Sequence, residues 1–208
     1  MRLDDALAEC PLVAILRGVR PDEVVPIGEA LYSSGIRIVE VPMNSPRPLD
    51  SVARLARDFS GRMVVGAGTV VKPEWVEDVR AAGGEIIIAP NTDAAVIRRA
   101  RDSGLEPMPG FATPSEAFVA HQSGARYLKL FPAASLGPAY LKALTAVLPT
   151  DTVIIAVGGV TAGNIREWWD AGARAFGIGS EIYRPGQSAE ETRHAALAIV
   201  AAVSRLPR

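Results

Sequence analysis

Short apolar runs recur along the chain at residues 12–16, 36–41, 63–66, 85–89, 105–108, 127–131, 153–157 and 175–179. Between them lie stretches whose apolar positions fall at helical spacing, such as Leu49, Val52, Ala53, Ala56 and Phe59, or Ile165, Trp168 and Trp169. The paired tryptophans are read as packing groups. Gly35, Gly83, Gly104, Gly124 and Gly172 close five of these stretches, where a residue tolerant of positive φ is favoured. Pro21, Pro46, Pro73, Pro114 and Pro138 are expected in first helical turns. Thr113 with Glu116, and Ser188 with Glu191, have capping-box spacing. The repeating unit is therefore strand then helix. Short runs rich in β-branched residues, with little alternation, suit parallel strands covered on both faces. Eight of them in strict alternation predict a single (β/α)8 TIM barrel over residues 1–208, in preference to a doubly wound open sheet. A short N-terminal helix carrying Leu3, Leu7 and Cys10 precedes it.

Composition narrows the function. The 208 residues, 49% apolar, suffice for one full core. A net charge of -1 leaves no basic footprint for nucleic acid or an anionic membrane. The start, Met1-Arg-Leu-Asp-Asp5, puts acids where a signal peptide needs apolar residues, and no apolar run approaches a membrane span, so a cytoplasmic protein is expected. Cys10 is the single cysteine and His121 and His194 the only histidines, which excludes an intrachain disulfide and a Cys/His zinc cluster. Small-molecule chemistry without a metal or cofactor is the expectation, although carboxylate sites for magnesium are not excluded by this count.

One apolar run is anomalous. In Ala125-Arg-Tyr-Leu-Lys-Leu-Phe-Pro132, period-2 alternation puts Tyr127, Lys129 and Phe131 on one face and Leu128 and Leu130 on the other. An ammonium among apolar neighbours lowers its cost by losing its proton, and a neutral amine is a nucleophile. A charge guarding a sheet edge is the structural alternative, but a closed barrel has no edge to guard.

Active sites of such barrels lie at the C-terminal strand ends. The polar residues there are Arg17, Glu40 with Asn44, Thr69, Asn91, Lys129, Gly158-Gly159 with Thr161, and Gly179-Ser180. Glu40 shares a face with Ile36 and Ile38 and should look inward, where Lys129 and Arg17 are the available cations. It reads either as a buried ion-pair partner of Lys129 or as a proton shuttle beside it, and both can hold. The Arg17 guanidinium suits a substrate carboxylate or phosphate, or an ordinary rim ion pair. Glycine pairs after the last two runs are placed where many barrels bind a phosphate through backbone amides. A phosphate anchor, a carboxylate binder, an acid/base and a potential Schiff-base amine describe a metal-free lyase acting on a phosphorylated keto acid. A phosphosugar isomerase or epimerase using Glu40 as base, and a non-catalytic phosphosugar sensor, are the competing readings.

The motifs Ile15-Leu-Arg-Gly18, Glu40-Val-Pro-Met-Asn-Ser45, Gly66-Ala-Gly-Thr69, Leu128-Lys-Leu-Phe-Pro132, Ala156-Val-Gly-Gly-Val160 and the run from Gly177 to Ser188 occur in an order that resembles the 2-keto-3-deoxy-6-phosphogluconate and 2-keto-4-hydroxyglutarate aldolase family. Their wording is most similar to its galactonate branch. Gluconate members typically have Thr-Leu-Arg-Thr after the catalytic glutamate, where this chain has Pro42-Met-Asn-Ser45, and a threonine where it has Val157. The resemblance implies a Schiff-base aldolase with Lys129 as nucleophile and Glu40 as acid/base. It also implies that Arg17 and Thr69 hold the substrate carboxylate, that Gly159, Gly179 and Ser180 hold the phosphate, and that Phe131 packs beside the imine. The substrate would be a phosphorylated 2-keto-3-deoxy sugar acid cleaved to pyruvate and D-glyceraldehyde 3-phosphate, without a cofactor, by an enzyme that is typically a homotrimer.

Overall fold

The computed structural model describes residues 1–207. Its strands are β1 (Leu12–Ile15), β2 (Ile38–Pro42), β3 (Val64–Gly68), β4 (Ile86–Ile88), β5 (Glu106–Met108), β6 (Gly110–Phe111), β7 (Tyr127–Leu130), β8 (Val153–Val157) and β9 (Ala175–Ile178). Its helices are α1 (Leu3–Glu9), α2 (Val24–Ser33), α3 (Pro48–Asp58), α4 (Glu74–Ala81), α5 (Ala94–Asp102), α6 (Pro114–Gln122), α7 (Ala133–Leu136), α8 (Pro138–Thr145), α9 (Ile165–Asp170) and α10 (Ala189–Val203). All strand pairs are parallel, in the order β5-β4-β3-β2-β1-β9-β8-β7-β6. The result is the expected α/β barrel, with its fifth strand position filled by two short pieces.

That break has a local cause. Met108 turns its carbonyl to Ala89 beside β4, whereas Pro109 turns its carbonyl to the Lys129 amide of β7. Pro107 and Pro109 therefore both face β7, the side on which neither has an N–H to donate. β5 pairs with β4 alone, and pairing to β7 begins at Gly110. The extra piece moves Lys129 from the sixth apolar run to β7.

Alternation sorts each strand into two layers. Leu12, Ala14, Val39, Val41, Leu128 and Leu130 face the helices, while Val13, Ile15, Ile38, Val64, Ile86, Ile88, Met108, Tyr127, Ile155, Val157 and Ala175 fill the barrel. Each fully buried Leu or Ile contributes about 1.5–3 kcal/mol relative to exposure. Ile36, expected on the inner face, precedes β2 and packs in the outer layer. Both capping boxes form, and the five stop glycines all have positive φ. Pro114 and Pro138 open helices and Pro73 caps one, but Pro21 lies in a turn before α2 and Pro46 precedes α3, which Pro48 opens.

Helix α1 closes the barrel floor. Ala6 is fully buried in the inner layer, with Leu3 and Leu7 packed against it, whereas Cys10 caps the helix and belongs to the outer layer. The Tyr127 hydroxyl donates to Asp4 at 2.5 Å, Arg126 donates to the same carboxylate at 3.1 Å, and Arg37 pairs with Glu9 at 2.6 Å. With the floor shut, ligands reach the interior from the C-terminal strand ends. Tyr127→Phe should lower stability by about 1 kcal/mol, the typical net value of one hydrogen bond, as read from the urea midpoint at unchanged m-value; no loss would show that apolar contacts alone hold α1 in place.

Candidate active site

Lys129 and Glu40 both point into the barrel, 6% and 1% exposed. They line one cavity with Val13, Ile15, Ile88, Met108, Ile155, Val157 and Gly177, and its free space of about 10 Å³ is on the scale of a single water. Among the described residues Glu40 Oε2 has no hydrogen-bond partner. Its carboxylate lies against the Gly68 backbone so closely that a Cβ at Gly68 would occupy the same space. Only glycine fits there while Glu40 keeps this rotamer.

Burial dominates the charge balance. Desolvation pushes the Glu40 carboxyl up to about 7, opposed by the positive fields of Lys129 and Arg17. Desolvation likewise holds Lys129 below the usual lysine range, with Arg17 adding to the effect and Glu40 opposing it. The carboxyl moves up and the amine moves down, so the gap between their proton affinities narrows from its ordinary width. Phe131 stands beside the amine, with Lys129 Nζ 5.0 Å from its ring centroid.

The carboxylate-binding candidates lie at the rim. Arg17 follows β1, is exposed, and donates from Nη1 to Asn44 Oδ1 at 2.7 Å. The Gly18 amide donates to Ser45 Oγ at 2.9 Å, a second link between the same two loops. Thr69 ends β3 one residue beyond Gly68, with φ +56°. A β-branched residue in the left-handed region carries strain of roughly 1–3 kcal/mol, a feature that concentrates at binding sites.

The phosphate-binding candidates lie at the ends of β8 and β9. Neither the Gly159 nor the Ser180 amide has an acceptor among the described residues. Gly159 has φ +77°, and its Cα abuts Ala134. Asn164, which the sequence reading overlooked, donates to the Gly159 carbonyl at 2.8 Å and accepts from the Thr161 amide at 2.8 Å, so it braces this loop. Its position in a turn before α9, three residues after Thr161, was the available signal. Gly179 accepts from the Ile182 and Tyr183 amides at 2.9 and 3.0 Å, which orders the turn after β9. Asn91 lies exposed beyond β4, with no bond to these groups among the described residues. No cluster of three His, Cys, Asp or Glu residues able to hold a metal occurs among the described residues, and no helix there is long and apolar enough to cross a membrane.

A family model described as KDPG and KHG aldolase matches residues 3–196. The chain belongs to that family. Among KDPG and KHG aldolase relatives, it is 46% identical over 192 residues to the 2-dehydro-3-deoxy-6-phosphogalactonate aldolase of Escherichia coli K12, covering 92% of this chain and 94% of that protein. It is 43% identical over 194 residues to a probable enzyme of the same name from Rhizobium meliloti, covering 93% and 92%. The solved native KDPGal structure superposes with a TM-score of 0.92 at 45% identity, over 93% of this chain and 94% of that one. KDPG aldolase from Legionella pneumophila, with pyruvate captured at low pH as a covalent carbinolamine, gives 0.85 at 26% identity, over 96% and 98%.

The raised Glu40 pKa has a stability consequence whose sign is definite. Between the ordinary value of 4.5 and the folded value of about 7, the unfolded chain ionises first. Glu40 is therefore least costly below pH 4.5, and stability is lost as pH rises toward 7. Glu40→Gln should unfold at a higher temperature than the parent at pH 8, with the gap closing toward pH 4.5; a gap independent of pH would contradict the burial argument.

Proposed function

We propose that this chain is a class I aldolase cleaving 2-dehydro-3-deoxy-6-phospho-D-galactonate to pyruvate and D-glyceraldehyde 3-phosphate. The observation that carries the reading is a buried, deprotonation-prone lysine sharing one cavity with a buried glutamate whose Oε2 has no partner among the described residues. Lys129 Nζ adds to the C2 carbonyl, and loss of water gives an iminium. Glu40, through a water, takes the C4 hydroxyl proton as the C3–C4 bond breaks, and the bonding pair flows into the iminium to form an enamine. Glyceraldehyde 3-phosphate leaves, Glu40 returns a proton to C3, and hydrolysis frees pyruvate and the amine. A carboxyl poised near 7 suits both proton steps.

Arg17 and Thr69 hold the substrate carboxylate, and the strain at Thr69 is consistent with a fixed contact there. Gly159, Gly179 and Ser180 hold the phosphate through backbone amides, and Phe131 covers the imine. Asn44 stands where gluconate members have an arginine, so Arg17 carries more of the carboxylate charge; its bond to Asn44 restrains that guanidinium. Val157 presents an apolar wall to the cavity where the two sugar series differ at C4. The family resemblance and the higher identity to galactonate enzymes support the galactonate branch. The family resemblance supports a cofactor-independent homotrimer, and the acidic N-terminal stretch and lack of a long apolar run support a cytoplasmic location.

Borohydride added with pyruvate should fix a stable adduct on Lys129, insensitive to EDTA, and Lys129→Arg should lose nearly all activity. An unlabelled Lys129, with an active arginine variant, would favour isomerase chemistry based on Glu40. Pyruvate release from the two C4-epimeric phosphorylated keto acids should be faster with the galactonate epimer; equal rates would remove the branch assignment and leave the aldolase.

A further inference from the structure

The turn after β9 holds a cation without a role in the chemistry above. Arg184 donates from Nε to the Ser180 carbonyl at 3.0 Å, and among the described residues its two Nη groups make no hydrogen bond or ion pair. Its backbone is well anchored. The neighbouring Tyr183 is buried and donates to Glu23 at 2.8 Å, Pro185 packs against Gly18, and Gln187 bonds back to the Arg184 carbonyl at 3.0 Å through its amide and to the Ile182 carbonyl at 2.6 Å through Nε2. A guanidinium tied at Nε to the Ser180 carbonyl is held beside the turn that carries the Ser180 amide, unpaired among the described residues.

Other cations on the mouth loops already have partners. Arg17 is bonded to Asn44, Arg20 is paired with Asp22 and Glu23, Arg47 is paired with Asp50, and Lys72 lies over Trp75. Glycine amides and a serine supply dipoles but no formal charge, whereas a phosphate monoester carries close to two negative charges at neutral pH. A guanidinium edge with two free nitrogens matches phosphate geometry.

We propose that Arg184 is a specificity-determining residue that clamps the substrate phosphate through Nη1 and Nη2 while Nε stays on the Ser180 carbonyl. This rests on the aldolase reading and extends it: the amides of Gly159 and Ser180 fix where the phosphate sits, and Arg184 supplies the charge that favours phosphorylated over non-phosphorylated aldehydes.

The test is condensation of pyruvate with D-glyceraldehyde 3-phosphate and with D-glyceraldehyde, using the parent, Arg184→Ala and Arg184→Lys. Arg184→Ala should raise KM for the phosphorylated aldehyde by about 10-fold or more, the usual scale for a charge-assisted hydrogen bond. D-Glyceraldehyde should show a far smaller change, and lysine should restore part of the loss. Equal losses with both aldehydes would mean a strap that merely orders the turn and would overturn the proposal, as would an unchanged KM. A readout independent of turnover separates the two readings. Inorganic phosphate should raise the melting temperature of the parent by clearly more than that of Arg184→Ala, which keeps only the backbone amides, and this must hold even if pyruvate and borohydride fail to label Lys129. Equal stabilisation of both proteins, or of neither, overturns the Arg184 assignment.

Discussion

Removing one ammonium and one carboxylate from water inside the barrel is the constraint on which the rest of the structure turns. For both Glu40 and Lys129 the desolvation cost exceeds the attraction between them, so the carboxyl moves up and the amine moves down. A tight ion pair would have done the opposite, holding both groups charged and the amine without nucleophilic power. Both groups line one cavity on the scale of one water, and Glu40 Oε2 has no hydrogen-bond partner among the described residues. The burial of these two groups costs stability, as is common where residues carry function.

Several distant features keep that cavity small. Helix α1 seals the floor through Ala6, Leu3 and Leu7 and is fastened by Asp4 to Tyr127, a residue of the same strand as Lys129. One strand thus carries both the floor latch and the buried amine. The wall opposite is thinned where Gly68 leaves room for the Glu40 carboxylate and Gly177 lines the cavity. Larger residues on those strands would fill the barrel as Ile38 and Val64 do one layer below, and Glu40 would lose its place.

The rim follows a different rule. Its groups are exposed or half-buried and held by short hydrogen bonds, Arg17 to Asn44 between two loops and Asn164 to Gly159 and Thr161 within one. On the proposed reading, the buried interior would carry the proton chemistry and the more exposed mouth would hold the charged ends of the substrate. The division matches the physics of each task, since proton affinities shift most without water while anions need only positioned donors.

The eight strand positions and their parallel βα rhythm, both capping boxes, the stop glycines and the inward direction of Lys129 and Glu40 were legible in the sequence, because each depends on local periodicity or on one residue's backbone preference; the splitting of the fifth position into β5 and β6 was not. The prolines at that break were visible, yet their effect depends on which neighbour each carbonyl faces, and only the assembled sheet decides that. The same holds for Gly68, whose need to be glycine arises from a carboxylate on the adjacent strand, for Asn164 as a brace, and for Cys10, which packs outside the barrel although its neighbouring helix plugs it. Sequence alone determined that this chain places an amine and a carboxylate in an apolar barrel. The tertiary structure decided how far apart they stand, what surrounds them and therefore which of desolvation and attraction wins, because burial and distance are properties of the packed chain and of no single segment.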